Sequence, residues 1–137
     1  MSLFRIFDVA GSGMSAQSVR LNTIASNMAN ANTTNGDATK VYRAKQPVFS
    51  TVLQGAEADP ASSGVEVTRI VESDKPLEKR YEPQNPLADK EGYVYQPNVN
   101  MVEEMTNMIS ASRSFQNNVE AMNTAKQMML ATLRLGE

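Results

Sequence analysis

The chain contains no cysteine, no histidine and no tryptophan. Without cysteine and histidine there can be no disulfide scaffold, thiolate nucleophile, Cys/His zinc site or imidazole base. Large apolar side chains are also scarce. Leu, Ile, Val and Phe supply 28 of 137 residues, near the level of about 20% below which chains tend to stay disordered. The chain therefore orders itself in part but lacks the stock for a rich private core. Thirteen basic residues stand against fifteen acidic ones, a net charge of −2, which argues against a nucleic-acid partner. No apolar run approaches the roughly 18 residues of a membrane span, so direct membrane insertion is not expected. Arg5 and Asp8 interrupt the opening MSLFRIFDVAGSG, so it has no continuous apolar stretch of the secretory kind, and any export is expected to take another route.

The charges are unevenly spread. Three fall in residues 1–35, eighteen in 36–100 and seven in 101–137, while all six prolines lie in the middle. Three segments follow: a helix in 1–35, an extended insert with a small β element in 36–97, and a second helix in 98–137.

The first helix is expected over about 3–31. Leu3, Phe7, Ala10, Met14, Gln17, Leu21, Ile24, Met28 and Ala31 step by alternating fours and threes, the seam of a coiled coil, broken only by Gln17. Gly11 and Gly13 suggest a kink or a close helix approach. The second helix repeats the pattern over 98–135 with Met101, Met105, Met108, Ser112, Phe115, Val119, Met122, Lys126, Met129 and Leu133. Asn98 and Asn100 stand where asparagine caps free backbone N–H groups, and Gly136 suits a C-terminal stop. The seam candidates are thus Phe7, Met14, Leu21, Ile24, Met28, Met105, Met108, Phe115, Val119, Met122, Met129 and Leu133. In the middle, 65–72 alternates like a strand, and Val41–Leu53 is extended but demoted by Pro47 to an edge. Tyr93-Val94-Tyr95 follows a turn signal at 89–92. These make a two- or three-stranded element too slight to stand alone.

The fold class is mainly α with a small β element, the terminal helices paired as an antiparallel coiled coil around an extended, hairpin-bearing middle. The outer positions of the helices are unusual. Exposed coiled-coil faces carry Glu and Lys, but here they are expected to carry Ser15, Ser18, Asn22, Ser26, Asn27 and Asn30 in the first helix and Asn107, Ser110, Ser114, Gln116, Asn117, Asn118, Asn123 and Thr124 in the second. Small neutral side chains desolvate cheaply and permit close approach on several sides, which points to a polymer subunit. A soluble coiled-coil adaptor with a neutral surface is the alternative. No catalytic, cofactor-binding or metal-ligating constellation is present. Gly11-Ser12-Gly13 lacks the third glycine of a phosphate loop, and Glu103 and Glu104 point about 100° apart on a helix. The reading is of a non-enzyme that needs no cofactor.

Ala25-Ser26-Asn27-Met28-Ala29-Asn30-Ala31-Asn32-Thr33 resembles the N-terminal signature of bacterial flagellar rod and hook axial proteins. Further resemblance lies in 7–14, 42–49, 85–89 and 92–94, in Pro97-Asn98-Val99-Asn100-Met101-Val102-Glu103-Glu104-Met105, and in 108–115 and 123–126. Only about 50–64 and 72–80 are unspecific. The motif positions are Asn27, Asn30, Asn32, Thr33, Asn98 and Asn100. Asparagine at a helix end tolerates the left-handed conformation and caps carbonyls. Most of the family continues directly into a Thr-Pro-Gly-Tyr turn. Here Thr34 through Val41 intervene before Tyr42, as in the proximal-rod branch, and Asn35-Gly36 is expected to supply the turn. The resemblance implies a torque-transmitting structural subunit of the periplasm-spanning proximal rod, exported by the flagellar type III apparatus, with another rod or hook member of the axial family as the alternative. It implies as partners the rod proteins FlgB, FlgF and FlgG, the adaptor FliE, and further copies of the chain in a helical assembly.

Overall fold

An apolar repeat of alternating fours and threes forms one continuous stripe only on a helix, and both ends of the chain obey it. The computed structural model describes residues 3–52 and 63–135, with side chains between 5 and 134. The side chain of Leu3, and with it the first seam position, lies outside the described residues, as do Leu53 and Gly136. Helix α1 spans Leu3–Asn30 and helix α2 spans Met101–Leu135. Asn100 sets the start of α2, its Oδ1 accepting from the N–H groups of Val102 at 3.0 Å and Glu103 at 3.2 Å. Glu103 and Glu104 in the first turn and Arg134 in the last have the signs that the helix dipole favours. The helices pack antiparallel, with Asn27 on Glu104, Arg20 on Asn107 and Gly13 against Asn118. A Cβ on Gly13 would lie 2.7 Å from the Asn118 amide nitrogen, whereas Gly11 faces open space. Gly13 therefore marks the close approach.

Which side chains are shielded differs from the expected seam. The fully buried positions are small or polar: Ala10, Ala16, Thr23 and Asn27 with Ile24 on α1, and Glu104, Ala111 and Ala125 on α2. The shielded line of α2 runs through Glu104, Met108, Ala111, Phe115, Asn118, Met122, Ala125 and Met129. It shares Met108, Phe115, Met122 and Met129 with the expected seam. At alternate positions the preceding residue takes the inward place, so Met105 and Val119 lie exposed; towards the end of α2, Leu133 and the preceding Thr132 are both exposed. Both lines obey the same spacing; the physical difference is that Ala and Asn, not Met and Val, fit between closely approaching backbones.

Among the described residues the middle holds four strands in two separate sheets, not one element of two or three. Strand β1 (Lys45–Val52) pairs antiparallel with β2 (Gly64–Glu72), with a bulge opposite Val48/Phe49. Pro47 is tolerated because a two-stranded ribbon is all edge. This ribbon packs along α1, where Ser12 Oγ donates to the Val9 carbonyl at 2.8 Å and accepts from Val65 N at 3.1 Å. Strand β3 (Glu78–Tyr81) pairs with β4 (Tyr93–Gln96). All four β3 residues are exposed, so no alternation announced it. Lys79 Nζ lies 4.0 Å from the centre of the Tyr93 ring, and Tyr81 meets the same ring edge-on. Gly92, with φ of 84°, closes the expected turn, while Asp89 Oδ1 accepts from Glu91 N and Tyr93 N.

Asn98 is not a cap. Its Oδ1 accepts from Ala44 N at 2.8 Å and its Nδ2 donates to the Ser73 and Lys75 carbonyls, tying the entry of β1 to the exit of β2. The loop after α1 is held by a two-way bridge in which Asn35 and Tyr95 exchange backbone hydrogen bonds of 3.1 and 2.8 Å. Gly36 does bend the chain, through lack of bulk and not through a positive φ. A Cβ there would collide with the Leu87 carbonyl oxygen and lie 2.9 Å from Asp89 N. Gly36→Ala is expected to cost about 1–3 kcal/mol by forcing two backbone segments apart, read as a lower urea midpoint than the wild type and than Gly11→Ala.

Candidate functional site

Two features stand out: a buried polar joint between the helices and β1, and an apolar outer face on α2. The joint is built on Asn27, three residues before the end of α1 and 1% exposed. Its Oδ1 accepts from the Tyr42 hydroxyl and from Lys45 N, each at 2.9 Å. Its Nδ2 donates to the Lys45 carbonyl at 2.9 Å and to Glu104 Oε1 at 3.2 Å. Two acceptor sites and two N–H groups are all that an amide has, and every one is used. One side chain thus fixes α1 to α2 and to the first residue of β1.

The electrostatics follow from the burial. Glu104 is 7% exposed, and burial pushes its carboxyl above the usual glutamate range. The Asn27 hydrogen bond opposes this, the nearby Glu103 charge adds to it, and Arg20 opposes it. Burial likewise raises the Tyr42 phenol, helped by the negative charges of Glu104 and Glu72. Arg20 Nη2 lies 3.4 Å from Asn107 Oδ1 beside the joint.

Of the other motif residues, Asn30 Nδ2 donates to the Ser26 carbonyl at 2.8 Å and Thr33 Oγ1 to the Asn30 carbonyl at 2.8 Å, so both finish the helix end. Asn32 is exposed. Among the described residues only Gly92 has a positive φ, so these asparagines do not use the left-handed conformation expected of them. Tyr42, Lys45 and Glu104 are not among the expected site residues: Tyr42 marks only the end of the inserted turn, and Glu104 enters only as half of an acid pair that points apart. Glu104 offered one signal, a carboxylate on the 4-3 line of Ala111, Asn118 and Ala125. The joint to Lys45 uses its backbone, which leaves no trace in residue type.

The seam candidates divide. Ile24 is buried, while Phe7, Met14, Leu21, Met28, Met108, Phe115, Met122 and Met129 are half-buried. Met105, Val119 and Leu133 are exposed, and so are Val102 (72%), Ile109, Met128 and Leu130. Val102, Met105 and Ile109, at spacings of three and four, form one stripe along the first turns of α2. Of the expected neutral outer positions, Ser15, Ser18, Asn22, Ser26, Ser110, Gln116, Asn117, Asn123 and Thr124 are exposed, but Asn30, Asn107, Ser114 and Asn118 are half-buried and Asn27 is buried, since Asn27 and Asn118 face the partner helix.

Asn27→Ala leaves the Lys45 N–H and carbonyl, the Tyr42 hydroxyl and Glu104 without their shared partner. An unpartnered buried polar group costs about 1–3 kcal/mol. The variant is expected to lose at least that much in urea unfolding, and Asn32→Ala, at an exposed position, almost nothing.

Comparison with known proteins fits this division of the chain. A family profile described as "Flagella basal body rod protein" matches residues 7–35, and one described as "Flagellar basal body rod FlgEFG protein C-terminal" matches residues 90–135. Asn27 falls in the first and Glu104 in the second. "Flagellar basal-body rod protein FlgC" of Escherichia coli O157:H7 and that of Salmonella typhimurium are each 53% identical to the chain over 137 residues, covering the whole of both chains. The protein of the same name from Bacillus subtilis is 36% identical over an alignment of 150 residues, again covering the whole of both. With identity of this extent from first residue to last, the chain belongs to the FlgC family of flagellar basal-body rod proteins.

Proposed function

We propose that the chain is a non-enzymatic, load-bearing subunit of the proximal rod, and that its uncovered α2 face packs against neighbouring subunits. The observation that carries this reading is the exposure of Val102, Met105, Ile109, Met128, Leu130 and Leu133 on one helix. Fully burying such a side chain is worth roughly 1.5–3 kcal/mol, so their exposure in a single chain favours association. The segments 1–35 and 98–137 form the helical inner domain, where the antiparallel pair extends into coiled-coil packing with equivalent helices of other subunits. Segment 36–97 braces it from outside. Torque passes through many close contacts, each small and large in sum.

On this reading the seam candidates fall into two groups. Those shielded within the chain hold the hairpin, and Met105, Val119 and Leu133 serve assembly. The partners are further copies of the chain, the rod proteins FlgB, FlgF and FlgG, and FliE. The subunit reaches the rod through the flagellar type III apparatus. The names of the relatives and the neutral flanks support this reading over a soluble adaptor, for which uncovered apolar stripes are a liability.

The test separates folding from assembly. Met105→Lys and Ile109→Lys alter exposed positions, so the purified variants keep the wild-type far-UV circular dichroism. They fail to co-purify with basal bodies and leave cells without motility; normal motility would exclude this face as the contact. A second outcome concerns the free subunit. Because so much of α2 lacks cover, the dilute chain should show less helix than the 28 and 35 residues of α1 and α2, its ends folding on assembly. Full helicity in dilute solution would contradict that.

A further inference from the structure

The rod reading leaves unexplained why a carboxylate lies inside the helix junction. Glu104 Oε1 is occupied by Asn27 Nδ2 at 3.2 Å, while Oε2 is buried and has no hydrogen-bond partner. A bare anionic oxygen away from water is expensive, whereas a neutral carboxyl there costs far less.

The charged and titratable neighbours come from every element around it. Lys45 of β1 has its backbone held by Asn27 and its ammonium 5.6 Å from the Tyr42 ring centre. Tyr42 uses its hydroxyl on Asn27 and feels Glu72 of β2. Glu103 of α2 pairs with Lys75 at 3.9 Å. Arg20 of α1 remains, touching Asn107 by a single 3.4 Å contact, longer than an ordinary N–H···O bond. Asn107 and Glu104 are three residues apart on α2 and share a face. A cleft of about 440 Å³ lined by Arg20, Thr23, Glu103, Glu104 and Asn107 leaves the guanidinium room to move between them.

We propose that Glu104 is a proton-operated latch. With the carboxyl neutral, α1, α2 and β1 close on Asn27; with it ionised, the carboxylate draws Arg20 away from Asn107 and the joint loosens. The direction of its shift agrees, since burial favours the protonated form. A carboxyl that holds its proton more tightly folded than unfolded stabilises the fold on the acid side. That contribution is lost as pH rises through the folded-state value.

The experiment follows the urea midpoint of the full chain from the ordinary glutamate range, about pH 4.5, up to about pH 8, with Glu104→Gln and Glu103→Gln alongside. Wild type and Glu103→Gln should weaken as pH rises, by up to about tenfold in folding constant per pH unit, the limit for one proton. Glu104→Gln, neutral throughout, should be flat and should exceed wild type at the alkaline end. A Glu104→Gln slope equal to wild type, or no slope in wild type, overturns the latch. Should Glu104→Gln fail to fold, the carboxyl carbon-13 shift of Glu104 in the wild-type chain decides. A midpoint above that of ordinary glutamate supports the latch, and one at or below it overturns it.

Discussion

A buried primary amide must have all its hydrogen bonds made, and Asn27 makes them to three different parts of the chain. The helix pair depends on this constraint for its alignment. Small inward residues such as Ala10, Ala111 and Ala125 let backbones come close but discriminate poorly between neighbouring registers, since one alanine fits much like the next. A polar group that is satisfied in only one alignment supplies what packing omits, as a single buried asparagine does in coiled coils. Sliding α2 by one residue would remove the Glu104 carboxyl from the Asn27 amide, and shifting β1 would strand the backbone of Lys45.

Around this joint the chain uses its side chains by size. Gly13 and the alanines occupy the tightest places, and many of the largest apolar groups of α2 lie outside them. A self-sufficient bundle would do the reverse, filling its centre with Leu, Ile and Phe. Scarcity of those residues, visible from composition, and their outward placement have the same physical meaning. The separate chain leaves large apolar side chains of α2 uncovered, and the proposed assembly would cover them. Neutral Ser and Asn flanks fit with that, because no ion need be stripped of water when another helix arrives.

Both helices were legible because a repeat of fours and threes sustained over 28 and 35 residues admits few other readings. Strand β2 was legible from its alternation and the turn at 89–92 from its Asp and Gly. The side of α2 that faces α1 was only half legible. Two parallel lines obey the same spacing, and the larger residues make the more conspicuous but less shielded one. Strand β3 was silent because all four of its residues are exposed, so no alternation marks it, and the contacts of Lys79 and Tyr81 with the Tyr93 ring show only once the pairing is in place. Asn98 looked like a cap because it precedes a helix; its partners at Ala44, Ser73 and Lys75 come from distant sequence. The joint failed to show for the same reason. Asn27 was noticed as a motif letter, but what it grips is set by tertiary structure.

Asn27 holds residue 45 through its peptide N–H and carbonyl, groups that every amino acid except proline carries in full. The two ends of that contact therefore differ in what they permit. At 45 the sequence is free to drift among the eighteen other residues that keep the N–H without disturbing the grip, whereas at 27 even aspartate, the same shape without the donor, would leave two acceptors facing an acceptor. Variation accumulating on one side of the contact and barred from the other is how such a joint can persist while the surface around it is rewritten.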